Sequence, residues 1–204
     1  MGINPLRVAQ MSHKMEKLAK TIETRIKRYH KDFSLPMMAE LWEETLVRSM
    51  EDIGLKPEWD NDRSHKVGED IKEETFGRIS CKSGSLTKNG VKFNGSRTTK
   101  FKTIDEKIEF LSESHDDVYF LLAKNVKDMK EKNFKYKLVV FDSSEVKVNK
   151  LIWEEKISKN GNLSGWKGTG SFDAEINRSM SDQLWTTIPF EKIKYTYDID
   201  ANPV

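Results

Sequence analysis

Cysteine is almost missing from this chain: Cys81 is the only one in 204 residues, so neither an internal disulfide nor a cysteine-based zinc cage can form. The 4 histidines, His13, His30, His65 and His115, are scattered without metal-ligand spacing. The 5 prolines and 11 glycines form no linker-like stretch, and no internal repeat is present. Apolar runs are short. The longest, Val118 to Ala123 and Leu138 to Phe141, fall far below the ~20 residues that a membrane helix needs. The first 33 residues are rich in Lys and Arg but lack the apolar centre of a secretory signal. The Gly161–Gly170 stretch has no Gly-Lys-Ser/Thr and is no nucleotide cradle. These absences predict one soluble, cytoplasmic domain over residues 1–204 with no membrane partner.

Charge is abundant but nearly balanced, with 35 basic and 33 acidic side chains. Its distribution carries the information. Residues 1–35 hold 8 basic and 3 acidic groups, residues 36–79 hold 6 and 12, and residues 80–103 hold 6 and none. An acidic block followed at once by an acid-free basic block suits a chain that collects a cation and then holds a polyanion. Opposite blocks that merely neutralise each other on one surface would look the same.

Local patterns set out the elements. Val8, Met11, Met15, Leu18, Ile22, Ile26 and Tyr29 recur at spacings of three and four, which predicts an amphipathic N-terminal helix within residues 1–33. Its seam suits a subunit contact or the chain's own domain. A second helix starts at Ser34 and Pro36 and stops at Gly54. Leu55–Trp59, Lys66–Lys72 and Thr75–Lys82 read as strands, and Asn89-Gly90 as a tight hairpin turn between Leu86 and Phe93. Thr103-Ile104-Asp105-Glu106 is a capping box that opens a helix to about Glu113. Val118–Ala123 and Tyr136–Phe141 read as buried strands. Beyond Lys150, a glycine loop over 161–170 and a helix over Ala174–Trp185 are expected, with Leu184 and Trp185 in the core. The order predicts an α/β fold with a mixed sheet, a catalytic core over 34–148 and recognition or packing elements over 149–204.

The chemistry concentrates in Val67-Gly68-Glu69-Asp70-Ile71 and Phe76-Gly77-Arg78-Ile79-Ser80-Cys81-Lys82. A period of two puts Phe76, Arg78, Ser80 and Lys82 on one strand face and Gly77, Ile79 and Cys81 on the other. Cys81 then packs in the core, while Lys82 shares a face with Ser80 near a strand that carries Asp70. A carboxylate suits Mg²⁺, which prefers hard oxygen ligands. A lysine beside that ion orients an attacking water and screens phosphate charge. Between Thr75 and Ile104 there is no Asp or Glu. Lys88, Lys92, Lys100 and Lys102 supply cations there, with Arg78 and Arg97, and Asn94 and Thr98 add polar groups suited to phosphate. Arg97 or Asn94 suits a base edge equally well. Arg178, Ser181 and Gln183 are further recognition candidates.

These residues resemble the PD-(D/E)XK nuclease superfamily, which includes type II restriction endonucleases and junction resolvases. The family core runs helix, three strands, helix, strand. Its motif is an Asp on the second strand and an acid-x-Lys triplet on the third. Asp70 matches the Asp and Lys82 the Lys, whereas Ser80 stands at the acid, giving Ser-Cys-Lys. The helix segment Ala39-Glu40-Leu41-Trp42-Glu43-Glu44 resembles the resolvase-type helix and points to Glu43, with Glu40 and Glu44 as alternatives within one turn. The resemblance covers about 90 residues around this motif. It implies a restriction-endonuclease-like core and a Mg²⁺-dependent type II endonuclease that hydrolyses a short specific sequence of double-stranded DNA as a homodimer. Asp70 and Glu43 would hold the metal, Lys82 would orient the water, and Ser80 would hydrogen-bond nearby. A structure-selective nuclease and an inactive DNA-binding module on the same fold are the alternatives.

Overall fold

The structure is a computed structural model and describes residues 5–59, 70–113 and 116–202. Part of the expected strand Lys66–Lys72 lies outside the described residues, as do His65 and His115.

Helix α1 spans Pro5–Asp32 and α2 spans Ala39–Asp52. On α1, Met15, Leu18, Ala19, Ile22 and Ile26 are buried, and they share one core cluster with Trp42, Leu46, Val47 and Met50 of α2. The described part of the α1 seam is therefore consumed inside its own chain. It is not the subunit contact that its heptad-like spacing also allowed, because α2 and the sheet already exclude water from it. Gly54, at φ +85, takes the left-handed conformation that ends α2.

Ten strands form one mixed sheet among the described residues: β1 Ile71–Glu73, β2 Gly77–Leu86, β3 Gly90–Arg97, β4 Val118–Lys124, β5 Lys135–Asp142, β6 Ile152–Ile157, β7 Leu163–Thr169, β8 Asp173–Asn177, β9 Gln183–Pro189 and β10 Tyr195–Asp200. The order is β10-β5-β4-β2-β3-β9-β8-β7-β6, with β1 pairing β2 off this path. Strands β2 and β4 run parallel, from Ile79↔Val118 to Ser85↔Lys124. The crossover that a parallel pair needs contains α3, Ile104–Ser112. The expected capping box opens it: Glu106 N donates to Thr103 Oγ1 at 3.3 Å and Thr103 N donates to Glu106 Oε2 at 2.9 Å. A short α4, Val126–Lys130, joins β4 to β5.

Each face of the sheet buries a different set of side chains. On one, Ile79, Cys81, Phe120, Leu122, Leu138 and Val140 meet α1 and α2. On the other, Val91, Phe93, Leu121, Val139, Phe141 and Ile188 form a second cluster. Farther along that second face, Ile104, Ile108 and Leu111 of α3 pack on Trp166, Ala174, Ile176 and Leu184.

Several sequence expectations give way here. Leu55–Trp59 is no strand and makes one bridge, Glu58↔Lys72. The expected glycine loop is strand β7, in which a Cβ at Gly165 would lie 2.0 Å from the Ile176 carbonyl oxygen. Glycine serves there for close strand approach, not for looseness. The expected helix over Ala174–Trp185 is β8, a 3-10 turn and β9. Ala174 and Ile176, then Leu184 and Ile188, bury on alternate positions, and left-handed Ser181 and Asp182 reverse the chain between them. The described part of segment 149–204, up to residue 202, thus continues the sheet through the β3–β9 and β5–β10 pairings. Gly90 also has a different reason from the expected one. A Cβ there would stand 2.0 Å from the Ile188 carbonyl oxygen, so close packing on β9 requires glycine at this end of the hairpin.

One buried histidine ties α1 to the sheet. His30 Nδ1 donates to the Phe33 carbonyl at 3.1 Å, which leaves Nε2 to accept from the Tyr136 hydroxyl at 2.8 Å. Met37 N in turn donates to that hydroxyl at 3.0 Å. Burial lowers the His30 pKa below its ordinary 6.5, against the opposing pull of the Phe33 carbonyl. The folded chain therefore resists protonation while the unfolded chain accepts it. This group's stabilisation is complete above pH ~6.5 and declines as pH falls below it, by up to ~1.4 kcal/mol per pH unit. Denaturant titrations between pH 7.5 and pH 5 should show a shallower acid loss in His30→Gln than in the parent. Equal slopes would contradict this account.

Candidate active site

Strand β2 has two partners on one edge and a gap between them. Next to β1 the pairing ends at Ile71↔Ile79, and next to β3 it begins at Gly84↔Phe93. In that gap no strand of the described residues meets the backbone of β2, and Asp70 reaches into it. Asp70 N donates to the Ile79 carbonyl at 3.2 Å, and its carboxylate takes the place of the next ladder acceptor: Cys81 N donates to Asp70 Oδ2 at 2.7 Å. The same oxygen accepts from Lys82 Nζ at 2.6 Å and from Ser80 Oγ at 3.4 Å. The expected juxtaposition of Asp70 with Lys82 is present, and Ser80 belongs to it.

Strand phase explains who reaches the site. Ile79 and Cys81 join the α1–α2 core, which turns Ser80 and Lys82 to the other face. Phe76 departs from the expected alternation. It packs edge-on against Phe120 at 5.3 Å, because Gly77 at φ +79 breaks the strand phase just after it. A Cβ at Gly77 would also lie 2.6 Å from Asp117 Oδ2. Asp117 in turn receives Arg78 Nε and Nη2, each at 3.2 Å. Arg78 is therefore held by an acid and does not belong with the hairpin cations.

Electrostatics bind the group together. Burial works against the Lys82 ammonium, but the charge and hydrogen bond of Asp70 outweigh it, so its pKa lies above that of an ordinary lysine. Asp116, buried just before β4, adds to this stabilisation. The sequence offered no motif for Asp116; its proximity comes from the parallel β2–β4 pairing. The Cys81 thiol is pushed well up, first by burial and then by the Asp70 charge, which makes it inert as a nucleophile.

Among the three helix glutamates, geometry favours Glu43. Trp59 Nε1 donates to Glu43 Oε1 at 2.7 Å. Burial raises the Glu43 pKa, the Trp59 bond opposes that, and the Asp70 charge raises it further. Glu43 thus shares an electrostatic environment with Asp70 and Lys82. Glu44 instead faces Arg48 at 3.7 Å with half its side chain exposed, and Glu40 is exposed. Among the described residues no group of three His, Cys, Asp or Glu is gathered for a metal. Asp70 and Glu43 offer the one or two carboxylates that Mg²⁺ takes from a protein, with water and phosphate completing the shell.

The expected DNA contacts separate into distinct environments. Lys88, Arg97 and Lys100 of the β2–β3 hairpin and its exit are exposed, as is Arg178 in the 3-10 turn. Lys100 lies over Phe110 at 4.6 Å and Phe101 at 4.9 Å. Thr98 is a correction: it is fully buried, and its hydroxyl donates to the Asp182 carbonyl at 2.7 Å. Its neighbours have already taken the group that a phosphate would need. Lys92, Asn94 and Gln183 are half-buried, with Lys92 Nζ 5.5 Å from the Trp185 ring centre and Gln183 Nε2 donating to the Gly95 carbonyl at 3.3 Å. Trp185 is another correction. It stands half-buried on the face opposite Leu184 instead of in the core.

An open groove of about 760 Å³ lies elsewhere, lined by Lys14, Leu55, Glu58, Glu73, Arg78 and Asp117 among others. Its mixed charges match no single ligand chemistry. No helix among the described residues is long and apolar enough to cross a membrane. No family model matches this chain, and neither a curated protein nor a solved structure shows significant similarity to it.

Proposed function

We propose that this chain is a Mg²⁺-dependent DNA endonuclease of the site-specific, type II kind, built on a restriction-endonuclease-like core. The observation that carries the reading is the meeting of Asp70, Ser80 and Lys82 in the edge gap of β2, with Glu43 electrostatically coupled to them. The order α2, bridge at Glu58, β1, β2, α3, β4 supports it, with the β3 strand as an addition.

Asp70 and Glu43 would hold Mg²⁺, which supplies Lewis-acid polarisation of the phosphate and a lowered pKa for bound water. The chain's own residues do the rest. The Cys81 N–H and the Ser80 hydroxyl hold the Asp70 carboxylate in one orientation. The Lys82 ammonium, tethered to Asp70 at 2.6 Å, orients the attacking water and offsets charge on the scissile phosphate. Exposed Lys88, Arg97 and Lys100 grip the DNA backbone. A homodimer suits a palindromic site.

The test is incubation of the full chain with plasmid and phage DNA in Mg²⁺, with the cut ends mapped by sequencing. Discrete, reproducible ends that disappear on chelation with EDTA are the expected result. Preference for branched substrates would replace the type II reading with a structure-selective nuclease. Binding without cleavage would favour the inactive module, for which the buried serine at the usual acid position is the supporting observation.

A further inference from the structure

Strands β3, β9 and β8 leave one face uncovered by any apolar cluster among the described residues. Their buried positions, Val91, Phe93, Leu184, Ile188, Ala174 and Ile176, all point to the side covered by α3 and the second cluster. The alternate positions form a register-matched array on the opposite side. Trp185 sits between Asn94 of β3 and Glu175 of β8. Gln183 pairs with Asn177, and Lys92 lies one step along from Asn94. All six are half-buried. Because paired positions on adjacent strands share a face, they make one surface: a single indole flanked by three amides, one ammonium and one carboxylate.

We infer that this face reads the base edges of duplex DNA, a proposal that rests on the nuclease reading above. The chemistry selects this occupant. A stable protein contact needs an extended apolar centre, and here one indole, Trp185, stands alone among amides and charges. The Asn94 amide carries the paired donor and acceptor that match an adenine edge. Gln183 Nε2 already donates to the Gly95 carbonyl at 3.3 Å and Asn177 Nδ2 to Glu175 Oε2 at 3.4 Å, which leaves their carbonyl oxygens as acceptors. Exposed Lys88 and Arg97 lie at the ends of the β3 hairpin strand and exposed Lys167 on β7. Lys156 pairs with Glu175 at 3.4 Å, and the exposed Glu154 and Asp173 share the face. Phosphates would meet Lys88, Arg97 and Lys167 while bases meet the centre. Position agrees as well. The face lies on the α2 side of the sheet, the side of Glu43. Ser80 and Lys82 project to the other side, so DNA on this face would approach the proposed site at the β2 edge where Asp70 sits. The sequence already offered Asn94, Arg97, Arg178, Ser181 and Gln183 for recognition; this face keeps Asn94 and Gln183, adds Asn177 and Trp185, and leaves Arg178 outside.

The experiment selects sequences from a randomised duplex library with the full chain in Ca²⁺, comparing the parent with Asn94→Ala, Asn177→Ala and Trp185→Phe, all checked for folding by thermal melting. The parent should enrich a defined motif containing adenine. Each amide variant should lose about tenfold or more in affinity for that motif while binding unrelated duplex nearly as before. Tryptophan fluorescence should be quenched by the selected duplex, and less so in Trp185→Phe. Folded variants that keep the parent's motif and affinity would overturn the inference, as would a parent that binds duplexes without sequence preference or prefers single strands. Cleavage by that parent would leave the nuclease reading intact. Selective binding with no cleavage under Mg²⁺ would overturn only the nuclease reading.

Discussion

Replacing Asp70 with asparagine should lower Mg²⁺-dependent cleavage by about 10³-fold or more, the scale expected when several kcal/mol of metal-derived charge stabilisation are lost. Asparagine is more informative than alanine at this position. The amide keeps an oxygen to accept from Cys81 N, now 2.7 Å from the carboxylate, so the edge of β2 stays closed. What disappears is the negative charge. Lys82→Met should cost about 10²–10⁴-fold, the range of a positioned group that assists proton transfer or bears developing charge. Because Lys82 Nζ and Asp70 Oδ2 are in contact at 2.6 Å, the double variant should fall little below the worse single one. Single-turnover cleavage of a labelled duplex measures the effect, with binding in Ca²⁺ as the control for fold and affinity. An Asp70→Asn protein that cuts at the parental rate would remove the proposed site.

The largest effect on stability should come from Lys107, which the sequence presents as one more lysine on a helix. Its side chain is completely buried. The ammonium donates to the Phe101 carbonyl at 2.6 Å, the Thr98 carbonyl at 2.8 Å and Asp182 Oδ2 at 2.9 Å, and lies 5.5 Å from the Trp166 ring centre. It thereby pins the exit of β3 to the turn before β9, where Thr98 also bonds the Asp182 carbonyl. Removing the ammonium leaves Asp182, whose side chain is only 17% exposed, without its counter-charge and the Thr98 and Phe101 carbonyls without that donor. The cost lies toward the lower end of about 3–5 kcal/mol. Lys107→Met should therefore lower the melting temperature by roughly 10 °C, at ~2–4 °C per kcal/mol for a chain of this size. Adding Asp182→Asn should restore part of the loss, since the amide needs no counter-charge. Asparagine also tolerates the φ of +47 found at that position. Differential scanning calorimetry of the two variants decides the matter. A Lys107→Met protein as stable as the parent would show that the buried ammonium contributes nothing.

Much of the Asp70–Ser80–Lys82 grouping was legible because it depends on strand phase. Ser80 and Lys82 on one face, with Cys81 in the core, follow from a period of two, and the structure keeps that phase. The choice among Glu40, Glu43 and Glu44 was not legible. All three lie within one helical turn, and only the indole of Trp59 and the charge of Asp70 distinguish Glu43. The Ala174–Trp185 segment misled because the turn between its strands rests on Ser181 and Asp182 in left-handed conformations, without the glycine that usually signals such a reversal. Arg78 was legible as a cation and illegible as a paired one, since Asp117 stands 39 residues away along the chain.

From the order of its residues alone, this chain determined the N-terminal helix, the Gly54 stop of α2, the capped start of α3, the apolar face of β2 at Ile79 and Cys81, and that an acid-free basic stretch follows an acidic one. Those properties depend on neighbours a few residues apart, and solvent sorts them locally. Tertiary structure alone decided that β3 pairs with β9, that Lys107 is buried on Asp182, that Thr98 is unavailable to a ligand, and that Trp185 faces outward among amides. Each of these is a choice among many chemically equivalent partners. It is settled by which strand edges meet, and those edges bring together residues far apart in the chain whose local surroundings carry no record of one another.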